Sequence, residues 1–490
     1  MPDLDQLTSW HSDWKQLKAL VFGLGVSGFS AADTLAELGA NTLVLAEKAE
    51  ADLLDILDVI GVPHITGEAA KGLPAAVIDF APDVIVVSPG IRPENELLVW
   101  AREHGIAIWV DIDLAWRLRD KTERLAHWFT ITGTNGKTTT VQLLTAMLNQ
   151  GGIKAEACGN IGKPILDAIR DPDGFDALVV ELSSFQLHYL GQILPFSSSV
   201  LNLADDHLDW HGGFEEYKAA KAKVYENTVA ACVYNVMDKS TESMVEDADV
   251  IDGARAIGFT LGIPGRSQVG YVEDILCDRA FLDDRANNAI EIATLEDLSE
   301  IGVLTPHLMA NAAAATAMAR SAGVDPADIR EAIRNFRLDA HRIELVAEAG
   351  GVRWIDDSKA TNPHAADASL ASFESVVWIV GGLLKGVDIS ALVEKHASKL
   401  SAAIVIGKDR SLVLEALAAK APGVPVVEIA DDSGAQVMAQ AVASAAAHAK
   451  DGDVVLLAPA AASMDQFKDY ADRGNCFASS ARALIGGANG

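Results

Sequence analysis

The run TGTNGKTTT at residues 132–140 has the composition and spacing of a loop that binds phosphate. Backbone N–H groups of residues 133–136 can hold phosphate oxygens, Lys137 can reach the terminal phosphates of a nucleotide, and Thr138 can ligate Mg²⁺. The general pattern has a glycine at position 131, where this chain has Ile131, so the loop is a variant form. The candidate ATP-binding residues are Gly133, Thr134, Asn135, Gly136, Lys137, Thr138 and Thr139.

Acidic and histidine side chains follow two apolar runs downstream of this loop. Glu181 ends the run ALVVE, and Asp205, Asp206 and His207 follow SSSVLNLA. Because the carboxyl ends of parallel strands converge at one edge of a sheet, we expect these groups beside the phosphate loop. Glu181 can serve a magnesium ion that bridges two phosphates, and His207 can join a second metal site. The lysines of the helical stretch 217–227, by contrast, have the pattern of a solvated basic face.

A second glycine pattern lies near the amino terminus. Gly23, Gly25 and Gly28 form G-x-G-x-x-G between an apolar run and a helical stretch, with Glu47 about 20 residues downstream. This pattern favours a nucleotide-type ligand over a ligand-free turn, without deciding which nucleotide. The run Ser88 to Gly90 follows another apolar strand and either lines the same crevice or is an ordinary strand-ending turn.

The elements that position these residues alternate between short apolar strands and Ala/Leu-rich helices, which predicts an α/β fold with mainly parallel sheets. Strands run into small-residue turns near residues 20, 130 and 355. The charged runs 117–127 and 334–344 have the polarity of linkers. We therefore predict three domains, at residues 1–116, 117–338 and 339–490.

The charge and the cysteine content of the chain exclude several classes of function. The net charge of −30 disfavours binding to nucleic acid and to anionic membranes. The four cysteines form no CxxC pair, and the polar amino terminus lacks the pattern of a secretion signal. The apolar runs 376–384 and 454–462 are about half the ~20 residues that span a bilayer, so we interpret them as buried strands. We expect a soluble, cytoplasmic protein, and a monomer.

The longer motifs resemble those of the Mur ligases of peptidoglycan precursor synthesis, over about residues 18–478. The GTNGKT loop is shared across the wider superfamily, whereas DSKATN and AASMDQF are typical of the member that adds D-glutamate. The motifs that carry the resemblance are TGTNGKTTT, GNIG (159–162), ELSSFQL (181–187), DDHLDWHG (205–212), HR (341 and 342), DDSKATNP (356–363), GGLLKGVD (381–388) and LLAPAAASMDQF (456–467).

The resemblance implies Rossmann-like amino-terminal and carboxyl-terminal domains around a central P-loop ATPase domain. It implies that ATP activates UDP-N-acetylmuramoyl-L-alanine as an acyl phosphate, which the amine of D-glutamate attacks. ATP as co-substrate and two Mg²⁺ ions are expected, and NAD is not. Closure of the third domain on the second would then exclude water from the acyl phosphate.

The resemblance also assigns roles to single residues. The precursor-binding residues would be Gly25, Val26, Ser27, Gly28, Glu47, Lys48, Ser88, Pro89, Gly90, Asn160 and His207, and Asn311, Arg342 and Asp357 would add to the ATP site. The D-glutamate-binding residues would be Lys359, Thr361, Lys385, Ser463, Met464 and Tyr470, the last at a position where many relatives have phenylalanine. Metal would be held by Thr138, Glu181, His207 and a carbamylated Lys221, and catalysis would depend on Lys137, His207, Lys221, Arg342 and Lys359.

Three alternatives remain open at this point. The chain is also compatible with a related ligase that adds another amino acid. An NAD-dependent oxidoreductase built on the first domain would leave the second-domain motifs unexplained. A non-catalytic nucleotide-binding regulator would have no use for Glu181, His207, Lys221 and Lys359. Whether residues 280–300 are more than an insertion is likewise undecided.

Overall fold

The structure is a computed structural model that describes residues 3–384, 386–430 and 434–488. It contains a five-stranded, a nine-stranded and a six-stranded sheet in chain order, each flanked by helices. Most strand pairs are parallel, so the predicted α/β fold class is confirmed.

The first sheet is entirely parallel. Its elements are β1 (Lys18–Phe22), α1 (Val26–Glu37), β2 (Asn41–Ala46), α2 (Ala51–Val59), β3 (His64–Thr66), α3 (Ala75–Phe80), β4 (Val84–Val87), α4 (Glu96–Glu103), β5 (Ala107–Trp109) and α5 (Asp111–Arg117). The strand order is β3-β2-β1-β4-β5, so the chain reverses its direction of progress between β1 and β4. Such a switch point is where open parallel sheets bind ligands.

The second sheet places the phosphate loop at its centre. Its strands are β6 (His127–Thr132), β7 (Ala155–Gly159), β8 (Ala177–Glu181), β9 (Ser197–Val200), β10 (Ala231–Asn235), β11 (Arg255–Phe259), β12 (Gln268–Val272), β13 (Ile275–Asp278) and β14 (Ile290–Thr294), in the order β14-β13-β12-β11-β10-β9-β6-β8-β7. Because β6 lies between β8 and β9, the loop after β6 is next to Glu181 and to the segment that follows β9. The strand β14 pairs antiparallel with β13 at the sheet edge, so part of residues 280–300 is an edge strand.

The helices that accompany the second sheet and lead to the third are listed here in chain order. They are α6 (Lys137–Gln150), α7 (Ile165–Ile169), α8 (Ser184–Tyr189), α9 (Leu208–His211), α10 (Phe214–Ala222), α11 (Lys239–Glu246), α12 (Leu295–Ser299), α13 (Pro306–Ser321) and α14 (Pro326–Asn335). The shortest of them, α9, begins directly after His207 and thereby places this predicted metal ligand at a helix amino terminus.

The third sheet is parallel except for its first strand pair. Its elements are β15 (Glu344–Ala349), β16 (Val352–Asp356), α15 (Pro363–Ala371), β17 (Val376–Gly381), α16 (Ser390–His396), β18 (Leu400–Ile406), α17 (Arg410–Lys420), β19 (Val426–Glu428), α18 (Gly434–His448), β20 (Val454–Leu457) and α19 (Tyr470–Ala488). The order β15-β16-β20-β17-β18-β19 makes the carboxyl ends of β16, β20 and β17 adjacent.

The most apolar runs begin with buried strands, β17 and β20, as predicted, and their last residues lie beyond the strand ends. Along β17, Val376 and Trp378 pack into one apolar cluster, whereas Val377 and Ile379 pack into another. Successive residues of a strand point to opposite faces, so both faces of this sheet are covered by helices. Among the described residues, no helix is both long and apolar enough to cross a membrane.

The chain divides into two compact units. The first comprises Met1–Thr294 and Ala310–Ala332 and holds the first two sheets, and the second comprises Leu295–Met309 and Ile333–Gly490 and holds the third. Residues 118–126, within the first predicted linker, form no regular helix or strand between α5 and β6. The domain boundaries at residues 116 and 338 remain a prediction.

Candidate active site

The phosphate loop has a backbone that requires glycine. Gly133 and Gly136 have φ angles of 154° and 83°, in the region that side chains disfavour. Gly136 caps α6, and a Cβ atom there would lie 2.3 Å from Oδ1 of Asn311. The glycine therefore permits both the turn and the close approach of Asn311, a predicted ATP-binding residue.

Two residues that the sequence did not indicate hold the loop from outside. Asn202 accepts a hydrogen bond from the Asn135 backbone N–H (2.8 Å) and donates one to the Asn135 carbonyl (3.0 Å). The Thr134 hydroxyl shares a hydrogen bond with the hydroxyl of buried Tyr217 (3.0 Å). The one sequence signal for Asn202 and Tyr217 is their position, since Asn202 follows β9 and Tyr217 lies in α10. The loop shape is thus supported by side chains distant in sequence.

The Lys137 ammonium group lies against its own loop. Its Nζ donates to the carbonyl oxygens of Gly133 (2.9 Å) and Thr134 (3.0 Å). The ammonium group and the amino terminus of α6, which begins at Lys137, both favour an anion at this place.

Glu181 forms one cluster with two other predicted site residues, Thr138 and Asn160. Its carboxylate, in a side chain that is only 2% exposed, accepts hydrogen bonds from Thr138 Oγ1 (2.9 Å) and Asn160 Nδ2 (3.0 Å). A buried carboxylate beside a hydroxyl is an oxygen-donor set of the kind that Mg²⁺ prefers. Asn160 belongs to this cluster in addition to its predicted role in precursor binding.

Lys221 is a buried residue and not part of a solvated basic face, so that interpretation is wrong for this lysine. The residue is 1% exposed, and its Nζ donates to the Gly133 carbonyl (2.9 Å) and to Thr132 Oγ1 (3.2 Å). Burial, together with the nearby charge of Lys137, lowers the pKa of Lys221 well below the ordinary lysine value. A lowered pKa gives the uncharged amine, which is the form that reacts with carbon dioxide.

His207 directly precedes α9 and has a left-handed backbone with φ 53°. Its Nε2 lies 3.5 Å from a carboxylate oxygen of Asp206, and its ring packs on Phe185 with centroids 4.7 Å apart. Burial lowers the pKa of His207, an effect that the charge of Asp206 opposes and the charges of Lys221 and Lys137 increase. The neutral imidazole is the form that ligates metal.

The glycine turn after β1 is in contact with the strand end after β4. A Cβ atom on Gly28 would lie 2.1 Å from the Gly23 carbonyl, and one on Gly23 would lie 2.4 Å from Ser88 Oγ. Gly25 caps α1, so residues 25–28 and Ser88 share the switch point of the first sheet. Glu47 and Lys48 are exposed just beyond β2, and Pro89 and Gly90 follow Ser88.

Two buried aspartates of α5 were missed by the sequence reasoning because no motif marks them. Asp111 accepts hydrogen bonds from the side chains of Gln186 (3.4 Å) and Ser27, and burial raises its pKa. Asp113 accepts from the Gly191 backbone N–H (2.8 Å), and burial raises its pKa to about 6. These contacts connect the predicted precursor residue Ser27 with the ELSSFQL motif through Gln186.

In the second unit, four of the predicted D-glutamate residues lie on turns after the adjacent strands β16 and β20, namely Lys359, Thr361, Ser463 and Met464, and Tyr470 begins α19. Lys359 Nζ is 3.9 Å from the ring centroid of Tyr470, so the tyrosine makes an aromatic contact with this lysine. Ser463 is buried, Thr361 is half-buried and Met464 is 68% exposed. Lys385 lies outside the described residues.

Arg342 and Asp357 lie in the same unit, and the charge of Arg342 acts on the Asp357 carboxylate. The buried Asp357 carboxylate accepts hydrogen bonds from Ser369 Oγ and from the Ile343 backbone N–H. Burial raises the pKa of Asp357 to about 6, an effect that the charge of Arg342 opposes. Both residues were predicted for ATP binding.

Arg473, also missed by the sequence reasoning, connects two of these turns. Its fully buried guanidinium donates to Ser358 Oγ (3.0 Å), to the Ser358 carbonyl (2.9 Å) and to the Ala461 carbonyl (3.1 Å). Burial lowers its pKa to about 10. This arginine therefore holds the turn after β16 against the turn after β20.

A parallel sheet whose central strand leads into a Gly-Lys-Thr loop, beside a buried carboxylate, defines the class of phosphate-loop nucleotide-binding proteins. Three family models match the chain. They are the Mur ligase MurD-like amino-terminal domain at residues 17–110, the Mur ligase middle domain at 131–319 and the Mur ligase glutamate ligase domain at 341–461.

Curated relatives match nearly the whole chain. A protein of Leifsonia xyli subsp. xyli is 56% identical over 99% of this chain and 96% of its own length. Proteins of Streptomyces avermitilis (48% identical, 96% and 99% covered) and Tropheryma whipplei strain Twist (45%, 99% and 99%) are similar in the same way. All three are named UDP-N-acetylmuramoylalanine--D-glutamate ligase. The chain belongs to the Mur ligase family.

Solved structures share the fold at much lower identity. The MurF ligase of Thermotoga maritima in complex with ADP is 18% identical, with a TM-score of 0.57 and 99% of each chain covered. The UDP-N-acetylmuramate-alanine ligase MurC of the same organism is also 18% identical, with a TM-score of 0.55 and coverage of 96% and 100%. At this identity the likeness shows the fold alone.

Proposed function

We propose that this chain joins D-glutamate to UDP-N-acetylmuramoyl-L-alanine, with ATP as co-substrate, in peptidoglycan precursor synthesis. The reaction class is supported above all by the phosphate loop, where Thr138 is bonded to buried Glu181 beside buried Lys221. The choice of amino acid and precursor is supported by the names of relatives that are 45–56% identical over nearly the whole chain.

The reaction has two steps. The alanyl carboxylate of the precursor attacks the γ-phosphorus of ATP, the bond to ADP breaks, and an acyl phosphate forms. The amine of D-glutamate then attacks the acyl carbon, and phosphate leaves as the amide forms. Because the first step brings an anion to an anion, its barrier falls when positive groups neutralise the transferring phosphoryl group. We assign this role to Lys137 and Arg342.

We assign two magnesium ions to this site. Thr138 and Glu181 would hold one, and His207 and a carbamylated Lys221 would hold the other. Magnesium supplies neutralisation of the phosphate charge when bound. His207 or a nearby carboxylate would also accept the proton of the D-glutamate ammonium group.

Carbamylation of Lys221 rests on its burial and its lowered pKa. The modification would convert an uncharged amine into an anion beside Glu181. Carbon-13 NMR of protein equilibrated with labelled bicarbonate checks this, and we expect one carbamate signal that disappears in Lys221→Met. The half-buried Lys218 in the same helix provides the control, because Lys218→Met should leave the signal in place. A signal that persists in Lys221→Met would refute the assignment.

Substrate binding follows the predicted assignments. Residues 25–28, with Glu47, Lys48 and residues 88–90, would contact the uridine diphosphate, and Asn160 the muramoyl-peptide part. Lys359, Thr361, Lys385, Ser463, Met464 and Tyr470 would surround D-glutamate, whose two carboxylates require ammonium and hydroxyl donors. Asn311, Arg342 and Asp357 would hold the adenine, ribose or γ-phosphate of ATP. A monomeric state and a cytoplasmic location complete the proposal.

Phosphate release tests the function directly. Purified protein is mixed with ATP, Mg²⁺ and UDP-N-acetylmuramoyl-L-alanine, and D-glutamate is compared with L-glutamate, L-alanine, L-lysine and meso-diaminopimelate. We expect turnover with D-glutamate alone. Turnover with another amino acid would keep the ligase class and overturn the substrate. Folded protein that binds ATP but turns over no amino acid would be a regulator, and binding of NAD(H) without a need for ATP would favour an oxidoreductase.

A further inference from the structure

Arg342 is flanked by two residues with an unusual backbone. His341 and Ile343 have φ angles of 68° and 47°, in the left-handed region. For residues other than glycine this conformation costs on the order of 1 kcal/mol each, and it is rare for β-branched residues such as isoleucine. Contacts outside the segment 341–343 must therefore hold it in this shape.

Asp356 holds the residue before Arg342. One carboxylate oxygen, Oδ2, lies 2.7 Å from His341 Nδ1, and the other accepts a hydrogen bond from the Ser358 backbone N–H (2.9 Å). Asp356 is fully buried and His341 is 7% exposed. The hydrogen bond to Asp356 raises the pKa of His341, which shows that the carboxylate favours the protonated ring.

Asp357 holds the residue after Arg342. Its carboxylate accepts a hydrogen bond from the Ile343 backbone N–H and interacts electrostatically with Arg342. In addition, the Lys359 backbone N–H donates to the His341 carbonyl (3.2 Å). Two successive carboxylates at the end of β16 thus hold the two neighbours of Arg342.

The helix α19 packs against the His341–Asp356 pair at Gly474. A Cβ atom on Gly474 would lie 2.2 Å from His341 Nδ1 and 2.7 Å from Asp356 Oδ2, so this glycine makes room for the pair. Glu344, whose carboxylate accepts from the His341 backbone N–H (2.9 Å), is close enough to complete a three-residue metal-binding set. Because the Glu344 carboxylate is hydrogen-bonded to the His341 backbone, we interpret the three residues as a clamp on segment 341–343 and not as a metal site.

We propose that His341 and Asp356 are positioning residues, which clamp the segment 341–343 so that Arg342 is directed at the phosphoryl group transferred in the proposed reaction. This inference rests on the proposed function. His341 touches neither substrate nor phosphate in this scheme. Its contribution to the rate is made entirely through the orientation of Arg342.

The clamp requires a particular kind of side chain at position 341. The side chain must present an N–H donor at the place of Nδ1 on a left-handed backbone. In asparagine, Nδ2 is the same number of bonds from Cα as Nδ1 is in histidine, and asparagine tolerates the left-handed region well. Asparagine can therefore replace the clamp without an imidazole ring, whereas leucine cannot donate at all.

The experiment compares His341→Leu with His341→Asn. Labelled ADP exchanging into ATP, without D-glutamate, reports acyl phosphate formation, and phosphate release with D-glutamate reports the whole reaction. We expect His341→Leu to lower kcat in both assays by roughly a hundredfold, the size typical of a lost transition-state contact, with KM changed by less than about threefold. His341→Asn should keep at least about a third of the wild-type rate, because the donor is restored.

A double-mutant cycle tests whether the effect is made through Arg342. If so, His341→Leu combined with Arg342→Ala should be about as slow as Arg342→Ala alone. Losses that multiply, or a folded His341→Asn as slow as His341→Leu, would overturn the proposal. Wild-type protein without exchange or D-glutamate turnover would instead refute the proposed function, so the two failures are distinguishable.

The chain offers a control for the loss of a His–Asp pair whose histidine is buried. His396, 2% exposed on α16, has its Nε2 2.6 Å from Asp367 Oδ1. His396→Leu should lower stability and leave kcat per folded molecule within about twofold of wild type, because this pair holds no residue assigned to the reaction. If His341→Leu does not fold, Asp356→Asn takes its place in the cycle and removes the carboxylate charge from the clamp.

Discussion

The phosphate loop and the segment around Arg342 both follow, or lie against, the carboxyl end of a strand and both carry a cation assigned to phosphate. They reach their backbone shapes by different means. In the loop, the left-handed positions are Gly133 and Gly136. Around Arg342 they are His341 and Ile343, which are held by Asp356 and Asp357.

This difference separates a local solution from a tertiary one. Glycine adopts the left-handed region without steric cost, so the backbone angles of the loop are available to its own short sequence, and Asn202 and Tyr217 add hydrogen bonds to it from outside. The left-handed conformation is unfavourable for histidine and isoleucine. Hydrogen bonds from Asp356 and Asp357, more than ten residues downstream, must offset this cost. Removing a distant partner should therefore disturb the Arg342 segment, while adding a side chain at a glycine should disturb the loop.

The largest effect is expected from the cation of the loop itself. Lys137→Ala removes the ammonium group that lies over the loop, and we expect phosphate release to fall by roughly 10³-fold or more, because charge neutralisation dominates phosphoryl transfer. Lys218→Ala, a half-buried lysine of α10 outside the cluster, is the control and should keep near wild-type activity. A loss below about tenfold in Lys137→Ala would contradict the assigned role.

The glycine side of the comparison is tested at the start of α6. Gly136→Ala places a Cβ atom 2.3 Å from Asn311 Oδ1 at φ 83°, and we expect ATP affinity, measured by calorimetry, to fall by about tenfold to a hundredfold. Gly152→Ala, just after α6, has a similar φ of 79° with no atom within 4 Å. It should show the backbone strain alone, without the loss of affinity. Equal losses in both variants would mean that contact with Asn311 is unimportant.

The tertiary side is tested from the helix that encloses the clamp. Gly474→Ala places a Cβ atom 2.2 Å from His341 Nδ1, and we expect a loss of about 2 kcal/mol in the free energy of unfolding, with kcat lowered about tenfold. Gly486→Ala in the same helix meets no atom within 4 Å and should be neutral or slightly stabilising, since alanine favours helix. Denaturant unfolding of the two variants decides this, and a harmless Gly474→Ala would show that the clamp has room to move.

The smallest effect is a pH dependence of stability. Burial raises the pKa of Asp357 to about 6, above its unfolded value of 3.8, so the folded state binds the proton more tightly between these values. Stability should therefore fall as the pH rises from about 4 to 6, by at most about 1.4 kcal/mol per pH unit for this group, and level off above. Asp357→Asn should reduce the slope measured by urea unfolding.

The same pH dependence of stability can be tested in the first unit at Asp113. Burial also raises its pKa to about 6, so Asp113→Asn should reduce the slope over the same pH window. A slope that both variants leave unchanged would show that neither carboxylate is protonated in the folded state at these pH values.

Much of the site could be predicted because many of its residues stand in short motifs of neighbouring residues. The loop, Glu181 at a strand end, and the sheets themselves follow from local periodicity and turn chemistry. Asn202, Tyr217 and Arg473 did not follow, because each acts on a segment that is remote in sequence and none stands in a pattern with a mechanism. Asp111 and Asp113 have pKa values raised by burial, which a sequence does not reveal.

The sequence by itself determined the fold class, the phosphate loop and the family resemblance, because strand and helix periods and glycine turns are properties of neighbouring residues. Only the tertiary structure decided that Lys221 is buried with a lowered pKa and that His341 and Asp356 form a pair beside Arg342. The reason is physical. Desolvation and hydrogen bonds between distant segments depend on which strands become neighbours, and that is settled when the sheets assemble.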